Sequence, residues 1–238
     1  MMTVDEKDII RIKNNISFIE EKIERAAEKS LRNKNEIKLM AVSKTHTLEL
    51  VEAAYRAGQR LFGENRVLEG KEKFADFHED AEVHLIGHLQ RNKAKHVFPA
   101  FSCVQSIDTI DTLKALEKCI FSLNRKLNIF IEVNTSHEES KHGCSQFDEL
   151  RGLIEFCLDK PLFDVVGFMT IAPFTNDEKK IRSAFSSLRD MRDRANSLYK
   201  ECNMKELSMG MSGDYELAVQ EGSTLVRVGT GIFGQRGT

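Results

Sequence analysis

The sequence predicts an α/β fold, a single (β/α)8 TIM barrel preceded by one extra helix. Three observations support this. Eight short runs rich in Val, Ile, Leu and Phe recur along the 238 residues. Amphipathic segments of helical period lie between most of them. Most runs are continuously apolar rather than alternating, as strands become when both faces of a parallel sheet are covered. Eight strands and their helices in this length match a closed barrel over residues 37–233. Periodicity alone does not show closure, so an open doubly wound sheet is the alternative.

The elements follow in order. Residues 1–33 carry Ile9, Ile12, Ile16, Ile19, Ile23 and Ala26 at alternating spacings of three and four, which puts one apolar stripe on a helix that must lie against something. The strand candidates are "IKLMAVSK", "RLFGEN", "EVHLIGH", "CVQSID", "NIFIEVNT", "VVGFMTIA", "KELSMGMS" and "TLVRVGTGIF". Between the sixth and seventh, residues 177–202 place Ile181, Ala184, Phe185, Leu188, Met191, Ala195 and Leu198 on one helical face, with acidic residues at the start where the helix dipole favours them. The segments between strands 3 and 4 and between strands 7 and 8 are short. No linker or repeat divides the chain.

Composition excludes several functions. A hydrophobic fraction of 41% with 30% charged residues suits a globular protein, and a formal net charge of −2 gives no reason to expect nucleic acid. No stretch reaches the roughly 18 to 20 apolar residues of a membrane helix, and "MMTVDEKD" lacks the basic-then-apolar order of a secretory signal. A cytoplasmic address is expected. Cys103, Cys119, Cys144, Cys157 and Cys202 are odd in number and contain no Cys-x-x-Cys pair, so they read as reduced thiols. His84 and His88, and "HEESKH" (137–142), are metal-capable but lack a specific ligand spacing, so no metal site is expected.

In a barrel the loops after the strand ends build the active face, and the last two commonly hold phosphate. "SMGMSGDYELAV" (208–219) offers Ser212 and Gly213 before a helix, and "RVGTGIFG" (227–234) offers Gly229, Thr230 and Gly231. Small residues, a hydroxyl and helix-start amides suit a dianion, although glycines at strand ends also serve tight turns. Lys44 ends the first strand and so opens onto the same mouth. It could be an electrostatic clamp, or a nucleophile if partly desolvated near another cation such as Arg227. Arg227, inside strand 8, could instead pair with a carboxylate such as Glu132. A phosphate cradle, an imine-forming lysine and an interior arginine together suggest pyridoxal 5'-phosphate, with Arg227 facing the pyridine nitrogen and weakening the ring as an electron sink.

At these residues the chain resembles the pyridoxal phosphate homeostasis (YggS/PROSC) family. The resemblance covers nearly all of the sequence after the first helix, through "AVSKTH", "GQRLFGEN", "HLIGHLQRNK", "QSIDT", "IEVNTSHEESKHG", "GFMTI" and "LSMGMSGDYELAVQEGSTLVRVGTGIFG". It implies a barrel like the alanine racemase N-terminal domain, with the cofactor held as a Schiff base on Lys44. It also implies a phosphate site at Ser212, Gly229 and Thr230, Arg227 at the pyridine nitrogen, Asn65 in the cofactor's surroundings, and His84 and Met169 near the pocket. Val83 and Arg66 depart from the aromatic residues frequent at those positions, which affects detail at the rim. The resemblance implies a carrier or regulator of intracellular pyridoxal phosphate, without an established catalytic activity. A small fold-type III enzyme such as an amino-acid racemase is the alternative, with Tyr215 the nearest candidate for a second acid/base; a phosphosugar isomerase or aldolase using a lysine imine without a cofactor is a third. Racemases of this class add a β domain after the barrel, and only a few residues follow strand 8 here, so a monomer is expected. The expected partners are pyridoxal phosphate and, as recipients, apo-enzymes that depend on it.

Overall fold

A computed structural model describes residues 4–98, 100–120, 126–136, 138 and 140–235. The eight strands are β1 (Lys38–Val42), β2 (Leu61–Glu64), β3 (Glu82–Leu85), β4 (Cys103–Ile107), β5 (Leu127–Glu132), β6 (Phe163–Met169), β7 (Glu206–Ser208) and β8 (Leu225–Val228). They pair in sequence order, all parallel, and β8 returns to β1 with Met40 opposite Arg227, so the sheet is a closed barrel and the open alternative is excluded.

The helices are α1 (Glu6–Lys29), α2 (Leu48–Arg56), α3 (Val67–Phe74), α4 (Ile110–Ile120), α5 (Phe147–Leu158), α6 (Glu178–Leu198), α7 (Tyr215–Gln220) and α8 (Thr230–Phe233). A 3-10 segment, Arg91–His96, replaces a helix between β3 and β4. Its sequence explains why: of "RNKAKH" only Ala94 is buried, so no apolar stripe exists to seat a full helix.

The first helix is shorter than its 33-residue expectation and begins where Asp5 accepts a hydrogen bond from the Lys7 amide at 2.9 Å. Its buried stripe of Ile12, Ile16, Ile19, Ile23, Ala26 and Ala27 lies against α2, α7 and α8. Polar contacts fix it there: Arg11 donates to the Phe233 carbonyl at 2.8 Å, Asn15 to the Ile232 carbonyl at 2.8 Å, and Arg32 to the Val219 and Ser223 carbonyls. The extra helix thus braces the two last loops of the barrel. Gly231 belongs to this contact, because a Cβ there would crowd Val228 and Ile19. In α6 the apolar face holds as far as Ala195, whereas Leu198, also expected on that face, is exposed in the last turn.

The main core lies between barrel and helices. A separate buried cluster, Cys103, Phe130 and Met169, joins three strands that follow one another round the ring. Among the described residues no helix is long and apolar enough to cross a membrane.

Candidate functional site at the barrel mouth

The ends of β1, β2, β3, β6, β7 and β8 enclose a pocket of about 190 Å³ lined by Val42, Lys44, His46, Asn65, Ile86, Met169, Ile171, Met211, Ser212, Arg227, Gly229 and Thr230. Seven of the eight sequence-derived candidates therefore meet: Lys44, Asn65, Met169, Ser212, Arg227, Gly229 and Thr230. The floor and the rim differ. Met169 and Arg227 are deeply buried, Lys44 is half-buried, and Ser212 and Thr230 are open to solvent.

Lys44 is delivered by a turn that the fold holds in an uncommon conformation. Thr45, immediately after it, has φ 65°, the left-handed region that a β-branched residue seldom adopts. Buried groups beneath determine that turn. The Ser43 amide donates to the Gly63 carbonyl at 3.0 Å, and its hydroxyl to Glu64 at 2.8 Å. The Lys73 ammonium donates to the Ser43 carbonyl and Glu64, both at 2.9 Å, and to Glu69 at 2.7 Å; Glu69 also accepts from the Thr45 amide. Burial raises the pKa of Glu64 against the opposing pull of Lys73. For Glu69 burial acts upward too, but the hydrogen bonds from Lys73 and Thr45 bring its pKa down. Beyond the turn, the His46 ring stacks on Phe233 at 4.7 Å, which ties the loop after β1 to α8.

Arg227 does not form the ion pair with Glu132 that its sequence allowed. Its guanidinium donates to the Ser208 carbonyl at 2.7 Å, the Ser208 hydroxyl at 2.6 Å and the Thr170 carbonyl at 2.8 Å. Burial pushes its pKa down to about 10, opposed by Asp214 and Glu132, so it remains a cation at neutral pH. Burial and the charge of Asp108 push Glu132 up to about 7, opposed by Arg227.

His84 does not line the pocket. It lies inside the barrel, where its Nε2 meets Glu82 and its Nδ1 meets the Gln105 amide nitrogen, each at 2.7 Å. The Ser208 hydroxyl donates to Gln105 Oε1 at 2.6 Å. Since β4 and β7 are three strands apart round the ring, Gln105 reaches Ser208 only through the interior. The bonds run continuously from Glu82 through His84, Gln105 and Ser208 to Arg227. The Gln105 amide must donate to Nδ1, which places the His84 proton on Nε2 toward Glu82. The sequence reading missed Gln105 and Ser208; polar residues inside strands with no exposed position were the available signal.

The last two loops are fixed by their own backbones. Gly210 has φ 96°, and a Cβ there would press on Ala218 and Tyr215. Its carbonyl accepts the Arg227 amide at 2.9 Å, and Asp214 accepts the Met211 amide at 2.6 Å. Among the described residues, the amides of Ser212, Gly213, Thr230 and Gly231 donate to no protein acceptor, as expected of turns that open short helices. Tyr215 packs inward, its pKa raised to about 12 by burial, then by Glu216, and neither it nor Tyr55 nor Tyr199 lines the pocket.

Residues 12–237 match the alanine racemase N-terminal domain, which defines the class of the barrel. Alanine racemase from Corynebacterium glutamicum shares the fold at 16% identity, TM-score 0.72, over 95% of this chain and 62% of its own. At much higher identity, a pyridoxal phosphate homeostasis protein of Aquifex aeolicus is 38% identical over 93% of this chain and 96% of its own length. PipY of Synechococcus elongatus PCC7942, solved with pyridoxal phosphate bound, is 32% identical, TM-score 0.78, over 90% of this chain and all of its own. The chain belongs to the pyridoxal phosphate homeostasis protein family.

Proposed function

We propose that the protein binds pyridoxal 5'-phosphate in the mouth pocket and serves in its homeostasis, holding and releasing the cofactor rather than catalysing a reaction with it. The observation that carries this reading is the convergence of Lys44, Arg227, Ser212, Gly229 and Thr230 on one cavity. The residues fit the group. A cavity of about 150 Å³ accepts a benzene ring, so the pocket admits a substituted pyridine whose anionic tail extends to the open rim. There the amides of Ser212, Gly213, Thr230 and Gly231, with two hydroxyls, are donors suited to a phosphate. Asn65 and Met169 would complete the walls.

Bound there, the cofactor would supply an aldehyde reactive toward an amine, and Lys44 is the amine that lines the pocket. The Thr45 turn and the Lys73 contacts fix the direction of Lys44's backbone. Arg227, held by three hydrogen bonds to β7 and Thr170, presents a permanent cation on the floor and so disfavours protonation of a pyridine nitrogen placed there. His84 acts through Gln105 and Ser208 as a positioning residue for Arg227. Among the described residues no tyrosine lines the pocket beside Lys44 as a second acid/base, which favours carriage over racemisation. Five free cysteines suit a reducing compartment such as the cytoplasm, and the reading extends to a monomer that passes its cofactor to apo-enzymes. The test is equilibrium dialysis against pyridoxal phosphate: wild type retains one yellow equivalent per chain, and Lys44→Ala loses the colour. A wild type that retains none removes the proposal.

A further inference from the structure

We propose that His88, Asp108 and His142 form a binding site for a divalent transition-metal ion of the zinc class on the β3–β5 side of the barrel mouth. The three residues follow β3, β4 and β5 and are brought together only by the closed barrel. Their ligand atoms all lie within 4.8 Å of one another. The imidazoles stack with centroids 3.9 Å apart and planes 12° from parallel. Both aim Nδ1 at one oxygen of Asp108, at 3.8 Å from His88 and 3.9 Å from His142. Those separations are too long for hydrogen bonds.

Asp108 supplies the second observation. Its side chain is nine-tenths buried, and its other oxygen, Oδ1, is buried with no hydrogen-bond partner. A buried carboxylate without a donor is costly, and a cation held at Oδ2 by the two imidazole nitrogens would offset its charge. Ligands about 2.0–2.1 Å from a tetrahedral ion stand roughly 3.3 Å apart. Reaching that spacing takes a closure of about half an ångström at Asp108 and of up to about 1.5 Å at the widest pair, with the stacked rings turning their nitrogen lone pairs toward one point, a rotamer change open to two side chains at the surface.

The donor set selects the ion. Two imidazoles and one carboxylate favour zinc, nickel or cobalt over magnesium or calcium, which prefer all-oxygen shells. Three protein ligands leave an open position, and the exposure of both rings turns it toward solvent. Cys144 is near, its thiol 3.7 Å from the Asp108 carbonyl, but its sulfur does not join the three ligand atoms and it is not a fourth ligand. The ion would link three loops beside the cofactor pocket, since Ile86 lines that pocket two residues before His88. His137 and Glu139 of the same loop lie outside the described residues.

The site stands on these side chains alone and does not depend on the cofactor reading. The test is zinc titration of the full chain against a chromophoric chelator, with and without pyridoxal phosphate, followed by cobalt(II) absorption. Expected are one zinc per chain in both states, a loss of affinity of about tenfold or more in His142→Ala and in His88→Ala, and cobalt d–d bands without a thiolate charge-transfer band. His142 is exposed, so its variant keeps the wild-type melting temperature in chelator. Absence of saturable zinc binding overturns the site. So does binding that both histidine variants leave unchanged, or a thiolate band, either of which would place the metal elsewhere.

Discussion

The two sides of the barrel mouth are built differently. On the β7–β8–β1 side the functional groups sit on short turns locked by buried hydrogen bonds: Lys44 over the Glu64–Lys73–Glu69 cluster, Arg227 over Ser208, and the Ser212 turn on Gly210. On the β3–β5 side, His88 and His142 are exposed side chains on loops, gathered round one buried carboxylate. The first side is fixed by the fold's own hydrogen bonds. The second can be changed without disturbing the barrel. Substitutions should separate them.

The largest expected effect is on the locked side. Gly210→Ala combines a left-handed backbone with a Cβ driven against Ala218 and Tyr215, and should cost about 4 kcal/mol in denaturant unfolding while weakening cofactor retention. A loss below about 1 kcal/mol would mean that the loop after β7 adjusts freely. Next, Gln105→Leu leaves the Ser208 hydroxyl proton without its acceptor and His84 Nδ1 without its donor, and should lower stability by about 2–3 kcal/mol. If His84 acts through Gln105 on Arg227, the same variant shifts the absorbance maximum of the bound cofactor. A purely structural role would move stability alone.

Glu132 stands between the two sides and should sharpen the contrast through pH. Its carboxyl keeps its proton in the folded chain up to about 7, against 4.5 for an exposed group. Between those values the unfolded chain has already released the proton, so stability contributed by this group falls as pH rises through that interval and levels off above it. Glu132→Gln should flatten the dependence, an effect on the order of 2 kcal/mol across the interval. An unchanged slope would place the titration on another group. The smallest effect is expected on the open rim, where His142→Ala should change stability in the absence of metal by no more than about 0.5 kcal/mol.

The same contrast explains what the sequence made legible. Groups on the locked side lie at strand ends, where an apolar run stopping at Lys44 or at Gly229 reports both the element and the direction its end faces. The stripe Ile12, Ile16, Ile19, Ile23 likewise announced α1, though not that it would brace α7 and α8. Groups that act across the barrel were hidden. Gln105 meets Ser208 at a separation of 103 residues, and Lys73, an ordinary helical partner of Glu69, also holds the Ser43 carbonyl. His88, Asp108 and His142 have no ligand spacing because barrel closure, not local sequence, brings them together. The carboxylate partner that Arg227 seemed to need is replaced by backbone carbonyls, which no side-chain pattern records.

The role proposed for Lys44 is to capture the cofactor aldehyde through its amine. Borohydride reduction of protein equilibrated with stoichiometric pyridoxal phosphate, followed by peptide mass mapping, tests it directly. The expected product is a single pyridoxyl adduct on Lys44. An adduct on Lys73, or label spread over exposed lysines with Lys44 unmodified, would contradict it.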